Sequence, residues 1–161
     1  MKIKIILTLL AIVTWQSVAL PEKIVLFRHA EKMTGKNPHL TDEGIKRAKR
    51  LTIMLAPYKP TSLFSTGYNR TQQTITPLAE HTKLAVLPYN PRELPAFAET
   101  LRNLSGTIVV AGHSNTTPEL IELLSGHVTH ISETEFDKVF VLTPTKTPST
   151  LHWQLDRLSS N

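Results

Sequence analysis

The sequence contains no cysteine. A disulfide framework and any thiolate chemistry are therefore excluded, although an oxidising compartment permits disulfides without demanding them. It has no apolar run of the roughly 20 residues that a membrane-spanning helix needs. It has no block of five like charges, and no basic stripe interleaved with aromatic residues. The nearest thing, Lys46-Arg47 with Lys49-Arg50, spreads over more than one helix face, so nucleic acid is not an expected partner. Seven histidines are present, yet none falls in an H-E-x-x-H pattern, and no metal is expected. No internal repeat is visible, and one domain is the expectation for a chain of 161 residues.

What is present begins with a leader. Lys2 and Lys4 precede an apolar stretch of eleven residues, Ile5 to Trp15, followed by Gln16-Ser17-Val18-Ala19 with small residues at 17 and 19. This is the order of a secretory signal peptide cut after Ala19. Export to a bacterial periplasm or beyond is the expectation, with no stable membrane insertion after cleavage. An uncleaved interfacial anchor or a buried first strand is the alternative. No cysteine stands at the cleavage site, so a lipoprotein is excluded. Residues 1–19 are thus assigned to the signal and 20–161 to one domain, whose net charge falls to +3 without the two leader lysines.

Along 20–161, apolar β-branched runs alternate with helical periodicity. Lys23 to Phe27, Leu63 to Ser65, Leu84 to Leu87 and Thr107 to Ala111 read as strands. Thr41 caps a helix with Asp42 and Glu43 in its first turn, and Ile45, Ala48, Leu51 and Leu55 recur on one face. A second helix starts near Arg70, where Pro77 is expected to bend or end it. Pro95 opens a third helix, running through Leu104, and Pro118 a fourth that stops at Gly126. Lys138 to Leu142 and Leu151 to Leu155 read as closing strands. This alternation predicts a three-layer α/β/α sandwich on a mostly parallel sheet. Ligands bind beyond the carboxyl ends of such strands. Arg28–Lys32, Gly67–Arg70 and Gly112–Asn115 each follow a strand, so Arg28, His29, Arg70 and His113 converge on one edge.

Two arginines and two histidines around one point repel unless an anion lies between them. Guanidinium forks match phosphate oxygens, and a helix start adds free N–H groups. A histidine can act as a covalent nucleophile. Phosphoryl transfer is largely positioning and charge stabilisation, so this set is nearly sufficient for it without a metal.

The stretches "LFRHAEK", "LTDEGIKRAKRL", "LFSTGYNRTQQTITPLAE" and "VVAGHSNTTPELIELLSG" resemble, in order, the motifs of the histidine phosphatase superfamily, the phosphoglycerate mutase-like fold. The "RHAEK" and "GHSNT" variants resemble its small bacterial phosphatases. The resemblance implies hydrolysis of a phosphomonoester through phosphohistidine at His29, with Arg28 and Arg70 clamping the phosphoryl oxygens. His113 would donate to them as imidazolium, and no cofactor would be required. Ala30 departs from the family's glycine, and Arg47 stands where many members carry glutamine. The proton donor is the open position. Glu93 lies at the family's spacing after Arg70 and Glu31 is a second candidate; Ser114-Asn115, where another branch places an acid, cannot serve. A substrate with a good leaving group needs no acid. Asn115 and Arg92 are further candidates for substrate binding.

Three rivals remain. "GHSNT" nearly matches a G-x-S-x-G elbow with Ser114 as nucleophile and Asp137 and His152 behind it, but Thr116 crowds the turn. A zinc site would have to use pairs such as His127 and His130, which lack a ligand pattern. A non-catalytic phospho-ligand binder is a third reading, against which the complete set of four central residues argues. The substrate is a sugar phosphate, a small metabolite or a phosphoprotein. The loops at 32–41 and 88–96 and the chain after Gly126 set that choice.

Overall fold

The computed structural model describes residues 20–147 and 150–161, together with every side chain among them except that of Lys146. The expected signal at 1–19 lies outside the described residues. Six strands form one mixed sheet in the order β3-β2-β4-β1-β5-β6. They are β1 (Pro21–Arg28), β2 (Ser62–Ser65), β3 (Val86–Pro88), β4 (Gly106–Gly112), β5 (Lys138–Lys146) and β6 (Leu151–Ser159). The first four are parallel, while β5 runs antiparallel to β1 and to β6. The helices are α1 (Asp42–Leu55), α2 (Asn69–Thr82), α3 (Leu94–Arg102) and α4 (Thr116–Ser125), and a 3-10 turn (Ala56–Tyr58) follows α1.

The central strands read as continuous apolar runs because both their faces are covered. Alternate residues then divide between two cores. Ile24, Leu26, Ile108, Val110, Phe140 and Leu142 pack with Leu94, Phe97 and Leu101 of α3 and Leu120, Ile121 and Leu124 of α4. Val25, Phe27, Val109, Ala111, Val139 and Val141 pack with Leu51 and Leu55 of α1 and Ile75 and Leu78 of α2. The three-layer α/β/α architecture is thereby confirmed.

Local chemistry fixes the helix ends. The Thr41 hydroxyl accepts the Gly44 N–H at 3.1 Å, which caps α1 as expected. Gly126 ends α4 in the left-handed region at φ 75°, where a Cβ would be strained. Two expectations need correction. Ile45 is 46% exposed, and Arg47 turns inward in its place. Pro77 does not end α2, which runs on to Thr82. The proline lacks the N–H that would meet the Gln73 carbonyl. Ile75 and Leu78, buried on either side of it, keep the helix on the sheet.

Arg47 explains its own burial. Its Nε and Nη2 donate to the Glu31 carboxylate at 2.7–3.0 Å, and its Nη1 donates to Ser160 Oγ and Asn161 Oδ1, each at 3.0 Å. The fork thus ties the segment after His29 to the end of the chain. Removing one member of such a pair leaves the other buried and uncompensated. Arg47→Met is expected to destabilise the protein by about 3 kcal/mol, somewhat less than a fully buried pair because Glu31 retains partial solvent access. Chemical denaturation of the two proteins checks this.

Candidate active site

The register of β1 on β4 sets Arg28 opposite Gly112, and the His29 N–H donates to the Gly112 carbonyl at 3.0 Å. The two strands therefore deliver Arg28, His29 and His113 to one edge. Gly112 is needed there. A Cβ at that position would sit 2.7 Å from Thr117 Oγ1 and 3.0 Å from the Tyr89 hydroxyl oxygen. The first turn of α2 brings in Arg70. Its threonines explain their own spacing: Thr74 Oγ1 accepts the Ala30 N–H at 2.9 Å, and Thr71 Oγ1 bonds Thr66 Oγ1 at 2.8 Å. Gly44 plays the same spacing role on α1, since a Cβ there would lie 2.2 Å from the Glu31 carbonyl oxygen.

These elements enclose a cavity of about 370 Å³ lined by Arg28, His29, Arg70, His113, Arg92 and Asn115, among others. Six of the seven residues expected from sequence thus come together. Glu93 does not. It precedes α3, is exposed, and lines a different cavity beside Tyr89 and Phe97. The turn at Asn90, whose carbonyl accepts the Glu93 N–H, sends Arg92 toward the site and Glu93 away from it. Glu31 is committed to Arg47 and does not line the cavity either.

Arg28 is 2% exposed. Its Nη1 donates to the carbonyls of Ser132 at 2.9 Å and Glu135 at 3.1 Å, and its Nη2 pairs with Glu133 at 2.9 Å. The Phe136 ring lies 4.3 Å from the guanidinium carbon, and Tyr68 backs Arg70 at 4.5 Å in the same manner. The Nε atoms of both arginines are buried without a hydrogen-bond partner, as is Thr129 Oγ1. An unsatisfied buried donor costs about 1–3 kcal/mol, and more when it is charged. With both guanidiniums lining one cavity, the site forms a cationic cradle suited to oxyanions.

The histidines are held as neutral rings. His29 Nδ1 donates to the Ala30 carbonyl at 2.7 Å, so the proton sits on Nδ1 and Nε2 keeps its lone pair. Burial lowers its pKa to about 3; the Ala30 bond is the next influence in size and opposes it, and the charges of Arg28 and Arg70 add to the lowering. His113 receives Arg70 Nη2 on Nδ1 at 3.4 Å and gives its Nε2–H to Thr66 Oγ1 at 3.0 Å. Thr66 can then donate to Thr71, which donates to the Tyr68 carbonyl at 2.8 Å. Burial and the two guanidiniums lower the His113 pKa to about 4. The expected imidazolium is therefore not the state of the free site, because two fixed positive charges already stand beside the ring.

The serine elbow is not assembled. Ser114 Oγ donates to Glu133 Oε1 at 2.5 Å. Asp137 is engaged by Ser159 and Asn161, and His152 pairs with Thr145 in the β5–β6 hairpin. Among the described residues no three His, Asp or Glu side chains gather as a metal-holding group, and no helix is long and apolar enough to cross a membrane. The residues missed from sequence are Glu133 and the Ser132, Glu135 and Phe136 that seat Arg28. They lie in an irregular loop and act largely through backbone carbonyls, which leave no mark in a sequence.

Parallel strands carrying a buried Arg-His pair, a second arginine on a helix start and a second histidine one strand over define a phosphoglycerate mutase-like α/β/α protein with an oxyanion cradle. The family model described as histidine phosphatase superfamily (branch 1) matches residues 24–100. Over those residues the chain is similar to the histidine phosphatase superfamily. No curated protein matches the sequence. Among solved structures, a mycobacterial glucosyl-3-phosphoglycerate phosphatase with inorganic phosphate is similar, at 15% identity and a TM-score of 0.65, over 84% of this chain and 95% of that one. The same mycobacterial phosphatase with VO3 gives 16% identity and 0.66, over 87% and 100%. A protein histidine phosphatase, SixA, complexed with tungstate gives 13% and 0.64, over 86% and 97%. At these identities the likeness is one of fold.

The neutral histidines make stability depend on pH. Both pKa values are lower in the folded chain than the unfolded value of about 6.5. Between about pH 3 and 6.5 the unfolded chain therefore binds more protons, and stability rises with pH across that window. This contribution to stability is progressively lost as pH falls below about 6.5. Replacing His113 with Asn is expected to flatten the dependence of melting temperature on pH between 6.5 and 4, as scanning calorimetry can measure.

Proposed function

We propose that the protein is a phosphatase that hydrolyses a phosphomonoester through a phosphohistidine at His29, without a metal ion. The observation that carries this reading is the convergence of the Arg28 and Arg70 guanidiniums with His29 and His113 on one cavity, with the His29 Nδ1 proton held by Ala30 so that Nε2 keeps its lone pair. A phosphoryl group has the charge and the oxygens that two guanidiniums on one cavity call for, and His29 Nε2 is the nucleophile within reach of the same cavity. Inorganic phosphate, VO3 and tungstate accompany the fold relatives, which supports an oxyanion here.

The chemistry runs in two transfers. The Ala30 carbonyl holds His29 Nδ1–H and so aims Nε2 at phosphorus. The nucleophile needs no deprotonation at neutral pH, because burial and the arginines already keep the ring neutral. As charge moves onto the phosphoryl oxygens, the guanidiniums and His113 stabilise it. A bound dianion also favours the proton on His113 Nδ1, turning an acceptor from Arg70 into a donor to oxygen. Water then attacks phospho-His29 and releases phosphate. The exposed Lys32 and Arg92 at the cavity, with Asn115, supply further polar contacts to the organic part of the substrate. We place the enzyme outside the cytoplasm, on the leader pattern at residues 1–19.

Incubation of the chain lacking residues 1–19 with p-nitrophenyl phosphate in EDTA is expected to release nitrophenol. Rapid quenching followed by mass spectrometry is expected to find a phosphate adduct on His29. His29→Ala is expected to lose both, by at least ~10³-fold in kcat. Full activity in that variant would sink the mechanism, and loss of wild-type activity in EDTA would sink the metal-free reading. Export is checked separately, by amino-terminal sequencing of the protein from a periplasmic fraction, with Leu20 the expected first residue.

A further inference from the structure

Among the described residues, Glu133 is the sole carboxylate on the cavity. Its Oε2 accepts from Arg28 Nη2 at 2.9 Å and its Oε1 from Ser114 Oγ at 2.5 Å. The side chain is 78% exposed, so its carboxyl is open to the cavity as well as to Arg28. Glu133, Ser114 and Asn115 also line a neighbouring cavity of about 480 Å³, bounded by Pro118, His130, Ile131 and Ser132. The carboxyl group thus stands at the boundary between the oxyanion cradle and a second space large enough for an organic group.

We propose that Glu133 protonates the leaving oxygen of a phosphomonoester whose organic group occupies this second cavity. The inference rests on the phosphatase reading. In the free site the carboxylate is ionised, held by Ser114 and Arg28. A phosphoryl dianion that settles on Arg28 takes that partner and sets two negative charges nearby, and both effects raise the proton affinity of the carboxyl. The proton comes from the substrate monoanion or from water. His29 Nε2 then bonds phosphorus as the P–O bond to the organic group breaks, and the Glu133 proton passes to the departing oxygen, giving a neutral alcohol and a carboxylate. In the second transfer the carboxylate takes a proton from the water that attacks phospho-His29. The P–N bond breaks, and hydrogen phosphate leaves with the carboxyl restored.

Such an acid matters in proportion to the basicity of the leaving group. The test compares kcat/KM of wild type, Glu133→Gln and Glu133→Asp on p-nitrophenyl phosphate and on 2-phenylethyl phosphate, with His29→Ala in the same assay. Glu133→Gln is expected to lose on the order of 10²–10³-fold on the alkyl ester and less than about tenfold on the aryl ester. Glu133→Asp is expected to recover part of the alkyl activity. Equal losses on both esters would mean that Glu133 only positions Arg28, and would overturn the proposal. So would an unchanged or raised alkyl rate, which would make the carboxylate a mere obstruction, or a wild type that cleaves the aryl ester alone. Failure of the phosphatase reading looks different: the wild type cleaves neither ester, or His29→Ala matches it, and this inference falls with that reading.

Discussion

A guanidinium does not lose its charge in a protein, so burying one obliges the surroundings to satisfy it. Arg28 is buried at the carboxyl end of β1, and the loop between α4 and β5 satisfies it with two carbonyls, a carboxylate and an aromatic face. That seat joins the first strand to the last third of the chain. Without it the arginine would have no reason to point across the edge of the sheet, and His29, its neighbour in sequence, would lose the charge that shapes its titration. The Nε left without a partner is the remainder of this arrangement. Three of its four other N–H donors are spent on holding the side chain still.

The same charges do two things to the histidines. They add to burial, the larger cause, in lowering the pKa of His29 and His113, which keeps both rings neutral in the free site. They also make the cavity strongly attractive to a dianion. These effects would conflict if the nucleophile had to be charged, but an imidazole attacks as the neutral base. His113 takes the other course. It is neutral only while the cradle lacks negative charge, and its hydrogen-bond chain through Thr66 and Thr71 fixes Nε2 as the permanent donor. Only Nδ1, shared with Arg70, is left to change its role.

Much of the fold was legible because β1 and β4 are too apolar to be anything but doubly covered strands, and because Thr41, Pro95 and Gly126 mark helix ends by local chemistry. The convergence of Arg28, His29, Arg70 and His113 followed from strand ends alone, since parallel strands share one carboxyl edge. What could not be read was how charge is disposed around them. Glu93 and Glu133 are both acidic loop residues, and only the turn at Asn90 and the path of the chain after Ile131 decide which faces the cavity. Ile45 and Arg47 show the same limit on α1. Hydrophobic periodicity assigned the isoleucine inward, but the carboxylate of Glu31 and the chain end offered a buried partner that no helical pattern encodes.

The motif residues therefore divide by physical task. Arg28, His29, Arg70 and His113 line the cavity. Gly44, Gly112, Thr71 and Thr74 touch no substrate and instead let backbones approach: two glycines make room for a carbonyl and for hydroxyls, and two threonines satisfy the groups that this closeness buries. The departure at position 47 belongs to the second class. Its arginine braces Glu31, two residues beyond the nucleophile, against Ser160 and Asn161. The Glu31 carbonyl in turn receives the Thr41 N–H at 2.9 Å, at the cap of α1. One buried ion pair thus holds the turn after His29 between a helix start and the chain end. The turn that follows His29 is consequently held by a residue that does not line the cavity.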